Sequence, residues 1–252
     1  MARTAGTAVA KAKSANLPAN LAAEMANEVA ALASRLQAPT GDRIKIDNKQ
    51  FKLPNGETSD MVSGVIVDFV YYNAYYSAAY DPNNITPPDC FSLAVEPTGA
   101  IPSPNSPDVQ ATKCADCWAN QFGSAGKGKA CRNSVLLAML PPDATEETPL
   151  MLLNVSPTGI KPFSAYVSSV ARALQRPQYA VVTDVVCDPN VKYDTLKFGN
   201  PTPVDADLLA LVRSRREEAR QRLMVEPDVS QVATQKVAAP KSKLAAPKRR
   251  AA

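Results

Sequence analysis

The sequence predicts an α+β fold that is mainly β: an OB-like five-stranded Greek-key barrel with a metal-stapled insertion and flanking helices. Strand-like segments come first, one helical segment follows, and two more strand-like segments close the pattern, which is the element order of an OB-type barrel. A proline-rich segment with cysteines interrupts the strands, and a charged helical segment comes after them. With 45% hydrophobic residues among 252, the chain can bury a core.

The N-terminal 40 residues are predicted to be flexible at first and then to form an amphipathic helix. Residues 1–16 are rich in Ala, Lys and Thr, a composition typical of disorder. Between 17 and 36, apolar residues recur at steps of three and four, which places them on one helical face. They are Leu21, Met25, Val29, Leu32 and Leu36. The Pro-Thr-Gly at 39–41 ends this helix.

The predicted core, residues 41–204, begins with short strands. The alternating RIKIDNKQFKLP precedes a turn at NGET, and a longer strand follows in SGVIVDFVYY. Four residues of that strand share one face: Val65, Val67, Phe69 and Tyr71. Beyond Tyr72 the pattern fits a helix as well as a strand. After an insertion at 81–132, SVLLAML and PLMLLNVS predict strands, FSAYVSSVARAL a helix, and YAVVTDVVC and TLKFGNPTPV the closing strands. The apolar face of that helix is predicted to consist of Phe163, Tyr166, Val167, Val170 and Leu174.

Two charged segments complete the chain. DADLLALVRSRREEARQRLMV predicts a helix over 205–225 with Asp205 as its N-cap, and 226–252 is an Ala/Pro/Lys-rich segment that we expect to be a disordered basic tail. From 227 onward it holds one acid, Asp228, and six cations. The cations are Lys236, Lys241, Lys243, Lys248, Arg249 and Arg250. Because residues 41–226 are acidic in sum, affinity for nucleic acid would come from a local patch, the chain ends or both.

The composition argues against an enzyme. The chain has no histidine, which removes Ser-His and Cys-His dyads and the usual base at neutral pH. The stretch GSAGKGKA approaches a P-loop, but Ala130 replaces the magnesium-binding Ser or Thr and a cysteine follows at once. No apolar run is long enough to span a membrane, and no signal peptide is visible. We therefore expect a soluble intracellular protein without membrane partners.

Four cysteines are the most informative feature of the chain. Cys114, Cys117 and Cys131 form a Cys-x2-Cys-x13-Cys motif, and Cys90 precedes them in PPDCFSL. A Cys-x2-Cys turn presents two sulfurs toward one centre, as structural zinc sites do. The insertion has seven prolines and no apolar period, so a metal would explain how it is ordered. The motif predicts a closed four-thiolate site, zinc by default, with an iron–sulfur cluster as the less favoured occupant.

Other roles for the cysteines remain open at this point. They could be unlinked structural thiols, a redox pair or disulfides, although the pair lies in a loop-like context and five cysteines is an odd number. The fifth, Cys187, ends the apolar run AVVTDVVC and is predicted to be a buried or strand-end thiol.

Aromatic and basic residues near the motif predict a nucleic-acid surface. Aromatic side chains serve single-strand binders as stacking platforms, and cations on a glycine-rich loop contact phosphates. The candidates are Tyr71, Tyr72, Tyr75, Tyr76, Trp118, Phe122, Lys127, Lys129 and Arg132. For each single tyrosine, packing in the core is the competing interpretation, and the lysines could simply be solvated.

The cysteine-rich stretch resembles a recurrent pattern in tailed-phage proteins of similar length. The shared features are a Cys-Phe-Ser opening, a proline-rich spacer, CADCWANQFGS and a closing Gly-Lys-Ala-Cys, and the similarity extends over about residues 60–200. The nearest functional analogue is the zinc-containing OB-fold single-stranded DNA-binding protein of phage replication. That analogue uses one histidine with three cysteines and ends in an acidic tail, whereas this chain has no histidine and a basic tail.

The leading functional hypothesis is therefore a single-stranded DNA-binding protein of phage replication or recombination, acting in the cytoplasm of the infected bacterial host. The main alternative is a zinc-stapled protein–protein adaptor whose partners are replication or transcription proteins. A third is a magnesium-dependent nuclease using Asp184 and Asp188.

Overall fold

The computed structural model describes residues 42–79, 81 and 84–230. The predicted helix at 17–36 and the tail beyond residue 230 lie outside the described residues, and so does Tyr80.

The described chain contains nine strands and three α-helices. The strands are β1 (Arg43–Asp47), β2 (Gln50–Lys52), β3 (Thr58–Ser59), β4 (Met61–Tyr75), β5 (Cys90–Ala94), β6 (Cys131–Leu140), β7 (Met151–Val155), β8 (Val181–Cys187) and β9 (Leu196–Pro203). The helices are α1 (Pro157–Leu174), α2 (Ala206–Ser214) and α3 (Arg216–Leu223).

All nine strands join one mixed sheet that curls into a half-barrel. The strand order is β3-β2-β1-β7-β6-β4-β8-β9, with β5 paired to β4, and only the β1–β7 pair is parallel. The α+β, mainly β prediction is confirmed, but the sheet has more strands than the five expected. The alternating segment RIKIDNKQFKLP forms two strands, β1 and β2, while the two-residue β3 is too short to show a period and β5 lies inside the proline-rich insertion.

Strand β4 is the centre of the sheet because it pairs with three neighbours. Its first residues pair with β8, its last with β5, and β6 runs along its other side. An extra residue, Val67, forms a bulge between Ile66 and Asp68, which bends the strand and exchanges its faces. The prediction that Val65, Val67, Phe69 and Tyr71 share one face is therefore wrong: Val65 and Val67 belong to one buried cluster, whereas Phe69 and Tyr71 pack against another. Gly64 permits the close pairing with β6, since a Cβ there would lie 2.7 Å from the Leu140 carbonyl oxygen. The strand continues to Tyr75, which settles the ambiguity beyond Tyr72.

One face of the sheet is covered by α1. Its buried residues Phe163, Tyr166 and Val170 lie on the face that the sequence predicted. Phe163 packs edge-on against Phe69 of β4, with ring centroids 5.0 Å apart. Cys187 joins the same buried cluster at the end of β8, as predicted. This layer anchors the half of β4 that precedes the cysteine region.

The other face is covered by α2 and α3. Asp205 caps α2 as predicted, because its carboxylate accepts a hydrogen bond from the Leu208 N–H at 2.8 Å. The prediction of a single helix over 205–225 is wrong, because the helix is interrupted at Arg215. The Arg215 guanidinium donates hydrogen bonds to the backbone carbonyls of Glu146 and Thr148. Arg220 of α3 reaches the nearly buried Asp68 on β4 at 3.2 Å. These two arginines therefore hold the helix pair on the body.

Candidate metal centre and its exposed loop

The sheet places two of the four cysteines on neighbouring strands. Tyr75, the last residue of β4, is in register with Cys90 on one side and with Cys131 on the other. Residues in register across strands point to the same face, so both thiols lie on the face that carries Tyr75. The insertion at 81–132 is therefore not irregular throughout, because β5 and the start of β6 belong to the sheet.

The other two cysteines come from the loop that crosses this face. The Cys114 N–H donates to the Ala100 carbonyl at 3.0 Å, and the Asn120 side chain donates to the Cys114 carbonyl at 2.8 Å. A short 3-10 turn at Trp118–Asn120 follows Cys117, and the Asn120 N–H donates to the Cys117 carbonyl at 3.0 Å. These bonds fix the Cys-x2-Cys segment over the strand ends.

All four cysteines line one small cavity of about 10 Å³. Its described walls contain neither a carboxylate nor a cationic side chain; besides the thiols they include Asn73, Tyr75, Phe91, Ser92, Pro102, Gln110 and Asn120. A volume of this size holds a single small guest. Four soft donors around a space for one ion are the donor set that zinc prefers.

Burial suppresses ionisation of the Cys131 and Cys114 thiols. It raises the pKa of Cys131 to about 12, and repulsion from the other three cysteines adds to the rise. Burial also raises the pKa of Cys114, with Ser92 and Asn73 acting in the opposite direction. A bound divalent cation would favour the thiolates and remove this penalty.

The side chains do not yet surround a metal ion. As they are arranged, no group of three or more His, Cys, Asp or Glu residues in the described chain could hold one. The donor types and the cavity fit a metal, whereas ligation requires the four thiols to close around the cavity. The metal centre therefore stays a prediction.

The loop between Cys117 and Cys131 exposes two predicted aromatic residues. Trp118 is 51% exposed and packs edge-on against Tyr75 with ring centroids 5.5 Å apart. Its indole N–H donates to the Gln110 side-chain oxygen at 3.2 Å. Phe122 is 81% exposed. A phenyl ring with this exposure contributes little to the core and is free to stack on a ligand.

The predicted cations lie on the same loop and at the start of β6. The Lys129 ammonium lies 5.1 Å from the Phe122 ring centroid and donates to the Asn120 side-chain oxygen at 3.2 Å. Lys127 and Arg132 are exposed. Lys129 and Arg132, together with Tyr76, line a cleft of about 490 Å³. Lys127 is not among the residues that line it, although it is only two residues from Lys129.

The tyrosines divide between the two faces of β4. Tyr71 packs against the core under α1, where its ring meets Phe69 at a centroid distance of 6.1 Å. Tyr72 is half-buried on the opposite face, and burial together with a hydrogen bond to Tyr76 raises the pKa of its hydroxyl. Of the four tyrosines predicted to bind nucleic acid, only Tyr76 has an exposed side chain. Of the four predicted tyrosines, Tyr75 and Tyr76 lie next to the loop and cleft, while Tyr71 is partly buried and packs against the core.

Sequence reasoning missed two polar side chains at the cysteine cavity, Asn73 and Ser92. They are in register with each other on β4 and β5, and Asn73 accepts a hydrogen bond from the Asn133 side chain at 2.6 Å. The signal for Ser92 was its position two residues after Cys90, which shares a face in a strand. That signal needed β5 to be recognised as a strand.

The acidic pair considered for a nuclease has other partners. Asp184 accepts hydrogen bonds from Ser63 and Asn200, and Asp188 pairs with Lys197 at 3.0 Å. A backbone hydrogen bond from Asn190 and the Lys197 contact lower the pKa of Asp188. Both carboxylates therefore have structural partners within the protein.

Comparisons with protein-family models, curated proteins and solved structures found no match for this chain. Among the described helices, none combines the length and apolar character needed to cross a membrane.

Proposed function

We propose that the protein binds single-stranded DNA through the loop between Cys117 and Cys131, in phage replication or recombination within the infected bacterial cell. The observation that carries the proposal is the exposed Phe122 ring with the Lys129 ammonium 5.1 Å from its centroid. An exposed ring beside a cation offers a strand both a stacking surface and a phosphate contact.

The cleft next to the loop supports binding of an unpaired strand. The cleft, about 490 Å³ in volume, has Lys129 and Arg132 on its walls, together with Tyr76, the exposed Ile85 and one carboxylate, that of Asp81. Such an arrangement suits one nucleotide, with the phosphate at the cations and the base against the apolar side chains. Base stacking depends little on base identity, so we expect weak sequence preference.

In this proposal the metal is structural. Four thiolates would fill the coordination of a zinc ion and leave no open position for catalysis. Zinc is the favoured occupant, and an iron–sulfur cluster, which uses the same four thiolates, is the alternative. Cys90, Cys114, Cys117 and Cys131 would then fix both ends of the binding loop to the sheet, and the protein would not be an enzyme.

The OB-like relationship is part of the same proposal. A long, bulged strand that pairs with different strands at its two ends is what a curled Greek-key barrel requires, and β4 has this form. The resemblance of the cysteine stretch to phage proteins adds to this support, but a shared fold would not by itself establish DNA binding.

The test is binding of a fluorescent oligothymidylate to the full chain and to aromatic variants. We expect Phe122→Ala and Trp118→Ala each to weaken binding by about 1–3 kcal/mol. Tyr193→Ala is the matched control, since Tyr193 is also exposed, at 57%, but lies between β8 and β9. Equal affinities for all three variants would refute the proposed surface, and no binding by the wild-type protein would refute the function.

The basic C-terminal segment should add salt-sensitive attraction. Removing 231–252 takes away six cations and no acid. Each phosphate neutralised on a single strand contributes about 0.7 to the slope of log affinity against log salt, so the slope should fall by up to about 4. Titrations at several salt concentrations measure it; an unchanged slope would contradict a role of this segment in binding.

A protein–protein adaptor is the second candidate. It is favoured by exposed aliphatic side chains near the loop, with Ile101 at 62% and Ile85 at 71% exposure. An adaptor would bind a replication or transcription protein and leave the oligonucleotide unbound, which the same titration distinguishes. Strand cleavage on addition of magnesium would instead favour the nuclease hypothesis.

A further inference from the structure

One buried hydroxyl at the cysteine cavity has no hydrogen-bond partner. Ser92 is 1% exposed, and its Oγ is unpaired among the described residues. Buried polar side chains nearly always have a partner, because a lost hydrogen bond to water costs free energy when nothing replaces it. The unpaired Ser92 hydroxyl therefore indicates that the cavity binds a group able to accept its hydrogen bond.

The position of Ser92 directs its side chain at the thiols. It is two residues from Cys90 on β5 and therefore on the same face, and it lines the cavity with all four cysteines. Its hydroxyl and the Asn73 side chain both lie close enough to the Cys114 sulfur to lower the pKa of that thiol, although burial outweighs them and raises it. The approach of Ser92 to the sulfur does not reach hydrogen-bond geometry, so its Oγ is unpaired. Asn73 already uses its side-chain oxygen to accept from Asn133 at 2.6 Å.

We propose that Ser92 is a positioning residue for the metal, whose hydroxyl donates a hydrogen bond to the metal-bound thiolate of Cys114. This inference rests on the proposed metal centre. A neutral thiol is a weak acceptor, whereas a thiolate is a strong one. Ser92 is consequently unpaired without metal and gains its partner when the thiols close around the ion.

Asn73 supplies a second donor from the adjacent strand β4. With its oxygen held by Asn133, its amide N–H groups are left for the cavity. Two neutral donors aimed at one sulfur hold that ligand in place and spread its charge, as outer groups do in metal sites generally. The strands β4 and β5 thus contribute more to the centre than Cys90 alone.

The inference predicts effects of opposite sign for one substitution. Ser92→Ala removes an unpaired buried hydroxyl, so the metal-free protein should be as stable as wild type or more stable. The same change removes the donor to the thiolate, so zinc affinity should fall roughly tenfold. Ser92→Thr keeps a hydroxyl and should restore much of the affinity.

The experiment measures zinc affinity of the full chain by chelator competition, with the Co²⁺ absorption spectrum as a second readout. Thermal unfolding of the metal-free proteins is recorded alongside. Ser134→Ala is the matched control, because Ser134 is a buried serine on the neighbouring strand β6 whose hydroxyl already donates to the Tyr72 carbonyl. It should lower stability and leave zinc affinity unchanged.

The outcomes separate the inference from the metal centre itself. If wild type binds zinc and Ser92→Ala binds it equally well, or loses no more affinity than Ser134→Ala, the role of Ser92 is wrong and the centre stands. If wild type binds neither zinc nor Co²⁺, both are wrong. A tenfold loss with an altered Co²⁺ spectrum and undiminished metal-free stability supports the inference.

Discussion

The body of the protein and its cysteine insertion are stabilised in different ways. The body packs helices on both faces of the sheet, and its large side chains form continuous buried clusters. Within the described chain, no residue between 95 and 130 belongs to those clusters. That segment buries small or polar residues instead. They are Ala100, Ser103, Ser106, Cys114, Cys117 and Ala119.

This difference assigns different sources of stability to the two regions. The body gains free energy by removing apolar area from water, which any chain with the same pattern would do. The insertion relies on hydrogen bonds to backbone carbonyls and on the thiols at its ends, so its order should depend on conditions that leave the body intact. Three perturbations test that separation.

Removal of the metal should have the largest effect, confined to the insertion. Structural zinc contributes on the order of 10 kcal/mol in small metal-dependent domains. We expect Cys117→Ser, or treatment with a chelator, to expose 95–130 to proteolysis while the unfolding midpoint of the body changes little. Limited proteolysis with mass spectrometry locates the cuts. Cys187→Ser is the control, because Cys187 is buried in the body at the end of β8.

If removal of the metal unfolded the body together with the insertion, the two regions would not have separate sources of stability. Equal protection of 95–130 in the zinc-treated and chelated proteins would contradict the metal centre, and would leave the hydrogen bonds as the sole support of that segment.

A core truncation should have the complementary effect. Phe163 is 1% exposed and packs against Phe69 and Phe198. Phe163→Ala should lower the free energy of unfolding by about 3–5 kcal/mol, from lost burial and the cavity left behind. Urea unfolding followed by circular dichroism measures it. Zinc affinity measured below the transition should match wild type, and a large loss of affinity would show that the two regions are coupled.

The sequence predicted the body better than the insertion, and the reason is physical. The period of α1 and the alternation of β8 are local, so Phe163, Val170 and Cys187 were placed correctly. Strand β5 is only five residues long and follows a proline-rich connection, so no local pattern identified it, and its pairing partners lie on β4. The break at Arg215 depends on carbonyls of Glu146 and Thr148, which no local pattern reveals.

For the candidate site, the sequence predicted that the four cysteines lie close together, but it did not predict which face of β4 each tyrosine occupies. The Cys-x2-Cys spacing brought Cys114 and Cys117 together, and the convergence of Cys90 and Cys131 came from the register with Tyr75. A cluster of tyrosines cannot be sorted into core and surface until the strand and its faces are known. Tyr71 therefore turned inward, while Tyr76 reached the cleft.

The smallest expected effect concerns the contact that joins the two regions. Glu226, just after α3, accepts hydrogen bonds from the Ser103 hydroxyl at 2.6 Å and from the Asn105 side chain at 2.7 Å. Ser103 in turn donates its N–H to the Phe91 carbonyl of β5. Because Glu226 is exposed, Glu226→Ala should cost about 1 kcal/mol at most, mainly as faster hydrogen exchange across 100–106.

Asp228→Asn is the matched control for that contact. It removes the same charge two residues later, where the carboxylate accepts from the Ser230 N–H rather than from the insertion. If both variants speed exchange in 100–106 equally, charge and not the contact is responsible. If only Glu226→Ala speeds exchange in 100–106, and added zinc restores the protection, the insertion is held at two independent places. One is the cysteine cavity and the other is the contact with Glu226 after α3, and metal binding at the cavity is the stronger of the two.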